Sequence, residues 1–427
     1  MGDMDYLPRV IDTHLERLVS DLPATAVEGA KGVGKTAAAA RLAATTIALD
    51  DDDQVTLLTA DRGRLTRLES PLLIDEWQYY PPVWDLVRRA VDRDQRPGQF
   101  ILTGSATPLK QPRHSGAGRI VRIRMRPLSL AERQIATPTV SLSALLSDEP
   151  TLIQGECGLT LADYVRQIAR SGLPGLRAVP DRSISDAIDG YLAEVIDRGT
   201  ASLDYGIRVP DTLRHWLAAY ASATATTAAY TTILNAATPG EPNKPAYTTT
   251  LAWREMLTKM WLLDPLPAWT ATRNHQADLG QTPKHHLADP ALALRLLGLT
   301  PDSLLDQPNP DGKPIPRDGT LLGALFESLV TLSVRVYAQP SRARVSHLRT
   351  RRGDHEIDLV ATREDGKVVA IETKITPTVT DTDVRHLIWL RDKMGPDLLD
   401  AVVVTTGTTA YRRPDGVAVV PAGLLGP

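Results

Sequence analysis

Eight consecutive residues carry the densest chemistry in the chain. Gly29-Ala30-Lys31-Gly32-Val33-Gly34-Lys35-Thr36 fits G-x-x-x-x-G-K-[ST] at every defined position. Glycines at this spacing let the backbone curl until successive N–H groups face phosphate oxygens. A lysine adds a mobile positive charge suited to β and γ phosphates, and a threonine hydroxyl is an oxygen ligand for Mg²⁺. The pattern predicts binding of a nucleoside triphosphate with Mg²⁺. No N-K-x-D motif of the guanine-reading kind accompanies it, which favours ATP over GTP.

About forty residues on, the apolar run Pro71-Leu72-Leu73-Ile74 ends in Asp75 and Glu76. A strand that delivers two carboxylates beside a phosphate loop assigns Asp75 to the metal and Glu76 to activation of the attacking water. Phe100-Ile101-Leu102-Thr103-Gly104-Ser105 is another apolar run with a small polar end. If its strand lies beside that of Asp75, Ser105 comes near the γ-phosphate. Arg119, in a polar loop, has the guanidinium that can stabilise a transferring phosphoryl group from the same or a neighbouring subunit, although its residue context alone favours a surface arginine.

A second constellation lies near the C-terminus. Glu356-Ile357-Asp358-Leu359-Val360 and Ala370-Ile371-Glu372-Thr373-Lys374 read as strands carrying acids, with Glu372 and Lys374 on one face. Asp358 and Glu372 on neighbouring strands could share a second divalent metal. Lys374 could steady the attacking water, and Glu327 from a preceding helix could complete the set. Asp354 and Glu356 read as solvated hairpin charges. Arg342, Arg344, Arg349, Arg351 and Arg352 cluster just before Asp358, where they would suit a DNA or RNA backbone or a solvated hairpin face. Arg122, Arg124 and Arg126 alternate along a strand and predict an exposed or inter-subunit face. His285-His286 with Asp289 is rejected as a metal site, because the pair diverges if extended and lacks a third ligand.

These residues need elements to position them. Strands are expected at Thr25–Glu28, Ile47–Leu49, Leu72–Ile74, Phe100–Thr103 and Ile120–Met125, with helices at Val10–Leu22, Thr36–Thr46 and Val83–Arg93, as in a parallel α/β sheet. From about Leu128 to Pro310 the pattern turns helical: Ala162–Ser171, Ile184–Ile196, Asp211–Ala229, Leu251–Met260 and Pro290–Leu297. Thr/Ala-rich residues 222–238 read as helix and loop, and Pro-rich Gln307–Arg317 as a linker. The last part predicts a helix at Leu321–Tyr337, strands at Val345–Arg349, Glu356–Ala361 and Val368–Thr373, a helix at Asp381–Met394 and a strand at Ala401–Thr405. That order resembles a restriction-endonuclease-like α/β fold. The expected domains are 1–130, 131–306 and 318–427.

Composition narrows the classes. The 427 residues carry 48 basic and 51 acidic side chains, a net charge of −3, which neither requires nor excludes a nucleic-acid partner. The one cysteine, Cys157, rules out an internal disulfide and a Cys-rich zinc site. The N-terminus lacks the apolar core of a signal peptide, and no apolar stretch approaches a membrane span. The expectation is a cytoplasmic protein with no membrane partner.

Taken together, these motifs resemble a family of bacterial and archaeal AAA-type ATPases that join a P-loop domain to a C-terminal domain of unknown function of the 4143 type. The matching pieces run in order: YLPRVIDTHL, GAKGVGKT, ALDD, LLIDEWQYYP, RPGQFILTGSAT, SGAGR and RPLSLAER, then SGLPGL and YLAEVIDRG. The resemblance implies an AAA-like core, a middle region with a winged-helix-like part and assembly into a homo-oligomer, a ring among the options. It also implies Arg119 as an arginine finger. Trp77 stands where the family has a small aliphatic residue. SGLPGL lacks the family's second glycine and the acid after proline. Three functions follow: an ATP-hydrolysing switch or motor on or near nucleic acid, a nucleotide-dependent scaffold with an inactive nuclease-like domain, or an ATP-gated nuclease.

Overall fold

Five short apolar runs form β1 (Ala24–Glu28), β2 (Thr45–Ala48), β3 (Leu72–Asp75), β4 (Phe100–Gly104) and β5 (Val121–Arg124). In the computed structural model, which describes residues 6–106, 115–198, 210–238, 245–271, 281–305, 317–350 and 353–427, they pair in parallel in the order β2-β3-β4-β1-β5. A parallel sheet is covered on both faces, and alternate residues divide between two cores. Ala24, Ala26, Leu72, Ile74, Phe100 and Leu102 pack with Leu58 of α3 (Asp52–Ala60) and Trp84, Val87 and Val91 of α4 (Pro82–Arg93). Val27, Leu73, Ile101 and Ile123 pack with Leu15 and Val19 of α1 (Asp12–Asp21) and Ala38 and Ala39 of α2 (Lys35–Ala40).

The Ala-rich run does not stay helical to Thr46. Helix α2 stops at Ala40, and Thr45, Thr46 and Ile47 pair with Leu72, Leu73 and Ile74. β-Branched side chains favour the pleated edge over further helical turns.

The middle of the chain supplies α5 (Leu161–Ala169), α6 (Asp181–Ala193), α7 (Pro210–Ser222), α8 (Tyr230–Ala237), α9 (Tyr247–Lys259) and α10 (Pro290–Leu296). The helix expected to run on to Ala229 ends at Ser222. Thr224 and Thr226 hydroxyls donate to the carbonyls of Ala221 and Ala223 at 2.6 and 2.7 Å, and Ala225 between them is left-handed at φ 58°. Such local bonds compete with helical ones.

Short strands β6 (Val140–Ser141), β7 (Gly155–Glu156) and β8 (Ala268–Trp269) come from this same stretch. The C-terminal part adds α11 (Gly319–Tyr337), β9 (Arg344–Arg349), β10 (Glu356–Thr362), β11 (Val368–Lys374), α12 (Asp381–Met394), β12 (Leu398–Thr405), β13 (Thr409–Arg412), β14 (Ala418–Pro421) and β15 (Leu425–Gly426). Eight strands form one mixed sheet, β7-β13-β14-β12-β11-β10-β9-β8, so the middle segment extends both its edges.

One sheet face packs Ile357, Val368, Ala370 and Val403 on Val384, Leu387 and Leu390 of α12. The other packs Leu359, Val369, Ile371 and Val402 on α11, in a core continuous with α5, α7 and α10. Against the expectation of no such stretch, α11 has the length and apolarity of a membrane span, with 61% of its apolar window buried inside the protein. Residues 307–316 of the expected linker lie outside the described residues.

Candidate functional site

The phosphate loop leaves the C-terminal end of β1 and enters α2. Gly32 and Gly34 take φ of 79° and 97°, and a side chain at Gly29 would meet the Met125 carbonyl oxygen at 2.1 Å. The glycine spacing is therefore required both by left-handed backbone and by close approach. Lys35 is buried at 4% exposure, its Nζ donating to the carbonyls of Gly29 (3.0 Å) and Ala30 (2.9 Å). Burial lowers its ammonium to about 8, against the pull of Glu76 and Asp75.

Parallel pairing brings the acids to this same end. Strand β4 lies between β1 and β3, beside the Asp75 strand as expected for Ser105. Thr36 Oγ1 donates to Asp75 Oδ1 at 2.9 Å, and the Thr103 hydroxyl holds the same oxygen. A hydroxyl and a carboxylate are hard oxygen donors, so the pair suits Mg²⁺. Glu76 is left-handed at φ 51° and starts the short turn Trp77–Tyr79. That strained turn sends its carboxylate toward β4, where Oε2 accepts from Ser105 Oγ at 2.9 Å and from Gln78 Nε2. Trp77 fits because the neighbouring strand β4 ends in Gly104, where a Cβ would lie 2.5 Å from the indole nitrogen; the indole packs on Trp84 at 4.7 Å between centroids.

Arg119 sits apart from this end. It precedes β5, whose Val121 pairs with Thr25 near the start of β1, and its Nε bonds Asp92 at 2.8 Å. The loop follows Glu28 at the opposite end, roughly 10–13 Å along the strand.

The residues that enclose the loop carry no motif of their own. Arg9, 7% exposed, donates to the carbonyls of Val33 (2.7 Å) and Arg126 (2.6 Å) and pairs with Glu132 at 3.1 Å. Tyr191 of α6 donates to the Lys31 carbonyl at 3.0 Å, and Glu194 lies 3.6 Å from Lys31 Nζ. Pro174 of the SGLPGL loop lies against Gly34. The middle region thus leans directly on the phosphate loop.

A family model described as an AAA domain matches residues 21–134. One for a domain of unknown function, DUF4143, matches 322–425, and a second domain of unknown function, DUF8612, matches 161–303. The chain joins an AAA domain to a DUF4143 domain. Uncharacterized proteins of Mycobacterium tuberculosis and Mycobacterium bovis are each 26% identical over 423 residues, covering 96% of this chain and 82% of theirs. A Walker-type ATPase of Pyrococcus abyssi aligns with a TM-score of 0.42 and 14% identity, over 68% of this chain and 96% of that one. The AAA domain makes the chain ATPase-like.

The DUF4143 domain gathers the second constellation, with one addition. Lys284, from the middle region and 1% exposed, places Nζ 2.8 Å from Glu327, 2.9 Å from Asp358 and 3.2 Å from Glu356. Burial works to lower this ammonium, but Asp358, Glu327 and Glu356 outweigh it and hold it well above its ordinary value. Asp358 also accepts from Thr373 N and Oγ1, both at 2.9 Å, and lies below the usual carboxylate range because Lys284 and these bonds overcome burial. Burial, then Asp358, pushes Glu327 and Glu372 each up to about 8.

The expectation for Lys374 changes, since its Nζ is taken by Glu372 Oε1 at 2.8 Å rather than free for a water. Glu356 is not a plain hairpin charge, because it faces Lys284. A shared metal between Asp358 and Glu372 finds no support: among the described residues no group of three or more acidic, histidine or cysteine side chains is arranged to hold a metal ion, and Lys284 is bonded to Asp358 and Lys374 to Glu372. His285 and His286 do diverge, to the Ala228 carbonyl and the Ser328 hydroxyl, while Asp289 caps α10.

Arg124 and Arg126 do not line an exposed face. Both reach buried Asp264 at 2.8 Å, which Arg335 of α11 also reaches at 2.8 Å. Arg122 bonds Glu28 at 3.3 Å. Arg344 and Arg349 are exposed as expected, and Arg351 and Arg352 lie outside the described residues.

Proposed function

We propose that the chain hydrolyses ATP with Mg²⁺ at the Gly29–Thr36 site and works as an AAA-like switch or motor on or near nucleic acid, in the cytoplasm. The observation that carries this reading is the Thr36–Asp75 contact at 2.9 Å, with Lys35 and Glu76 at the same end of the sheet. Residues Gly29 to Gly34 would hold phosphate oxygens through backbone N–H groups, and Lys35 would exchange its loop carbonyls for the β and γ phosphates. Thr36 and Asp75 would hold Mg²⁺, which when bound neutralises phosphate charge. Glu76 Oε2 accepts the proton of the attacking water, while Ser105 and Gln78 fix the carboxylate's direction. Tyr191 and Pro174 rest on the loop, so a change in it bears on the middle region. The position of Arg119 away from its own loop favours action on a neighbouring subunit in a homo-oligomer.

For the C-terminal domain we favour a binding scaffold of restriction-endonuclease-like ancestry over an active nuclease, because Lys284 is lodged among its acids. Exposed Arg344, Arg349, Arg385 and Lys393, with Trp389 stacked on His355 at 3.9 Å, suit a nucleic-acid backbone and bases. Phosphate release from ATP, measured with and without single- and double-stranded DNA, tests both parts. Turnover that survives Glu76→Gln undiminished overturns the assigned base, and turnover indifferent to any DNA or RNA removes the nucleic-acid partner.

A further inference from the structure

The carboxylates of the C-terminal sheet already have a cation of their own. An ammonium has three N–H donors, and Lys284 has three carboxylate partners within 3.2 Å: Glu327 on α11, and Glu356 and Asp358 on β10. Its backbone is fixed as well. Lys284 N and O both bond Leu266, at 3.0 and 2.9 Å, and the next residue, His285, bonds Thr226 and Ala225 at 2.9 and 2.8 Å. A side chain tethered on both sides by β-bridges is not a surface lysine that happened to fold inward.

We propose that Lys284 is a built-in counter-ion standing where a divalent cation would bind, so that the wild-type carboxylate cluster takes no metal and a variant without this ammonium does. This deepens, and rests on, the scaffold reading of the C-terminal domain.

Charge and geometry support it from two directions. A divalent ion reaching Asp358 and Glu327 would meet the ammonium 2.8–2.9 Å from both, and like charges at that range repel strongly in a dry site. A separate observation is compatible with a ligand there: Glu372 Oε2, on the strand next to Asp358, is buried and has no hydrogen-bond partner among the described residues, while its Oε1 is held by Lys374. Thr373, its neighbour, bonds Asp358, so the two strands bring these acids together. As they stand these acids are not arranged around a metal ion; removing the lysine would free Glu327, Asp358 and Glu372, oxygen donors of the kind that bind Mn²⁺ or Mg²⁺, to close on one.

The test is titration of Mn²⁺ into the nucleotide-free full-length chain, read by the electron paramagnetic resonance of free Mn²⁺. Wild type is expected to hold no Mn²⁺ that depends on Asp358. Lys284→Ala is expected to gain one site per chain, lost again on adding Asp358→Asn. If the cluster without its ammonium does not fold, the double variant Lys284→Met with Glu356→Gln removes a negative charge together with the positive one and is read in the same way. Asp358-dependent Mn²⁺ binding by wild type, or a folded lysine-free variant that gains no site, overturns the proposal. Binding of a labelled DNA duplex, measured alongside, separates the two readings. Loss of DNA binding by wild type would count against the scaffold, whereas the Mn²⁺ result decides the role of Lys284.

Discussion

Ser105 Oγ lies 2.9 Å from Glu76 Oε2, so the residue following β4 holds the acid following β3. The contact exists because β4 is inserted between β1 and β3 and because Glu76 turns left-handed as its strand ends. If Glu76 is the general base, Glu76→Gln lowers ATP turnover by about 10²–10⁴-fold while nucleotide affinity stays within a few-fold. Ser105→Ala, which removes only the orienting bond, lowers turnover by about tenfold. Phosphate release with a parallel binding titration distinguishes the two.

Gly104 and Trp77 give a prediction independent of any ligand. A methyl group at 104 would meet the Trp77 indole at 2.5 Å, inside a core shared with Trp84. Gly104→Ala is expected to destabilise the chain by about 1–3 kcal/mol through overpacking. Urea denaturation followed by tryptophan fluorescence checks it.

Asp264 faces three arginines, Arg124 at the end of β5, Arg126 just after it and Arg335 of α11. Burial works to raise its pKa, yet these guanidinium groups hold it far below the usual carboxylate range. Removing it strands buried positive charge, so Asp264→Ala costs about 3–5 kcal/mol. Chemical denaturation measures the loss, and an unchanged midpoint would show that the contact between the AAA domain and α11 does not depend on this carboxylate.

Two pH windows follow from the buried acids. Glu327 is raised to about 8 from an ordinary 4.5, so between those values the folded chain keeps a proton that the unfolded chain has released. Stability from this group is full below pH 4.5 and is lost as pH rises to about 8. Glu327→Gln flattens that decline. Asp358 is lowered, so its contribution is present above 3.8 and is lost as pH falls through its folded value. Denaturation midpoints from pH 2 to pH 9 for wild type and Glu327→Gln check both signs.

Much of this was readable in the residues. Apolar runs with β-branched content located β1, β3, β4 and the strands from β9 to β12 within a few residues, because each must bury both faces or alternate across a sheet. The phosphate motif is local, so spacing alone marks Gly29–Thr36. Asp75, Glu76 and Ser105 were legible as strand ends, and parallel pairing gathers strand ends at one edge. Lys284 was not legible. In the context QTPKHH a lysine reads as solvated, and only the pairing of its segment with Leu266 and Thr226 carries it beneath Glu327 and Asp358. Arg124 and Arg126 misled for a similar reason, since their partner Asp264 is about 140 residues away. Arg9 carried no motif beyond YLPRV, and nothing local shows that its guanidinium closes over the phosphate loop.

The phosphate loop is expected to bind and hydrolyse ATP. Mg²⁺-dependent phosphate release by the purified full-length chain, compared with Lys35→Ala under identical conditions and with folding verified by circular dichroism, tests it most directly. Measurable turnover is expected of the wild type, with a loss of about a hundredfold or more in the variant. Equal turnover by the folded variant would contradict it.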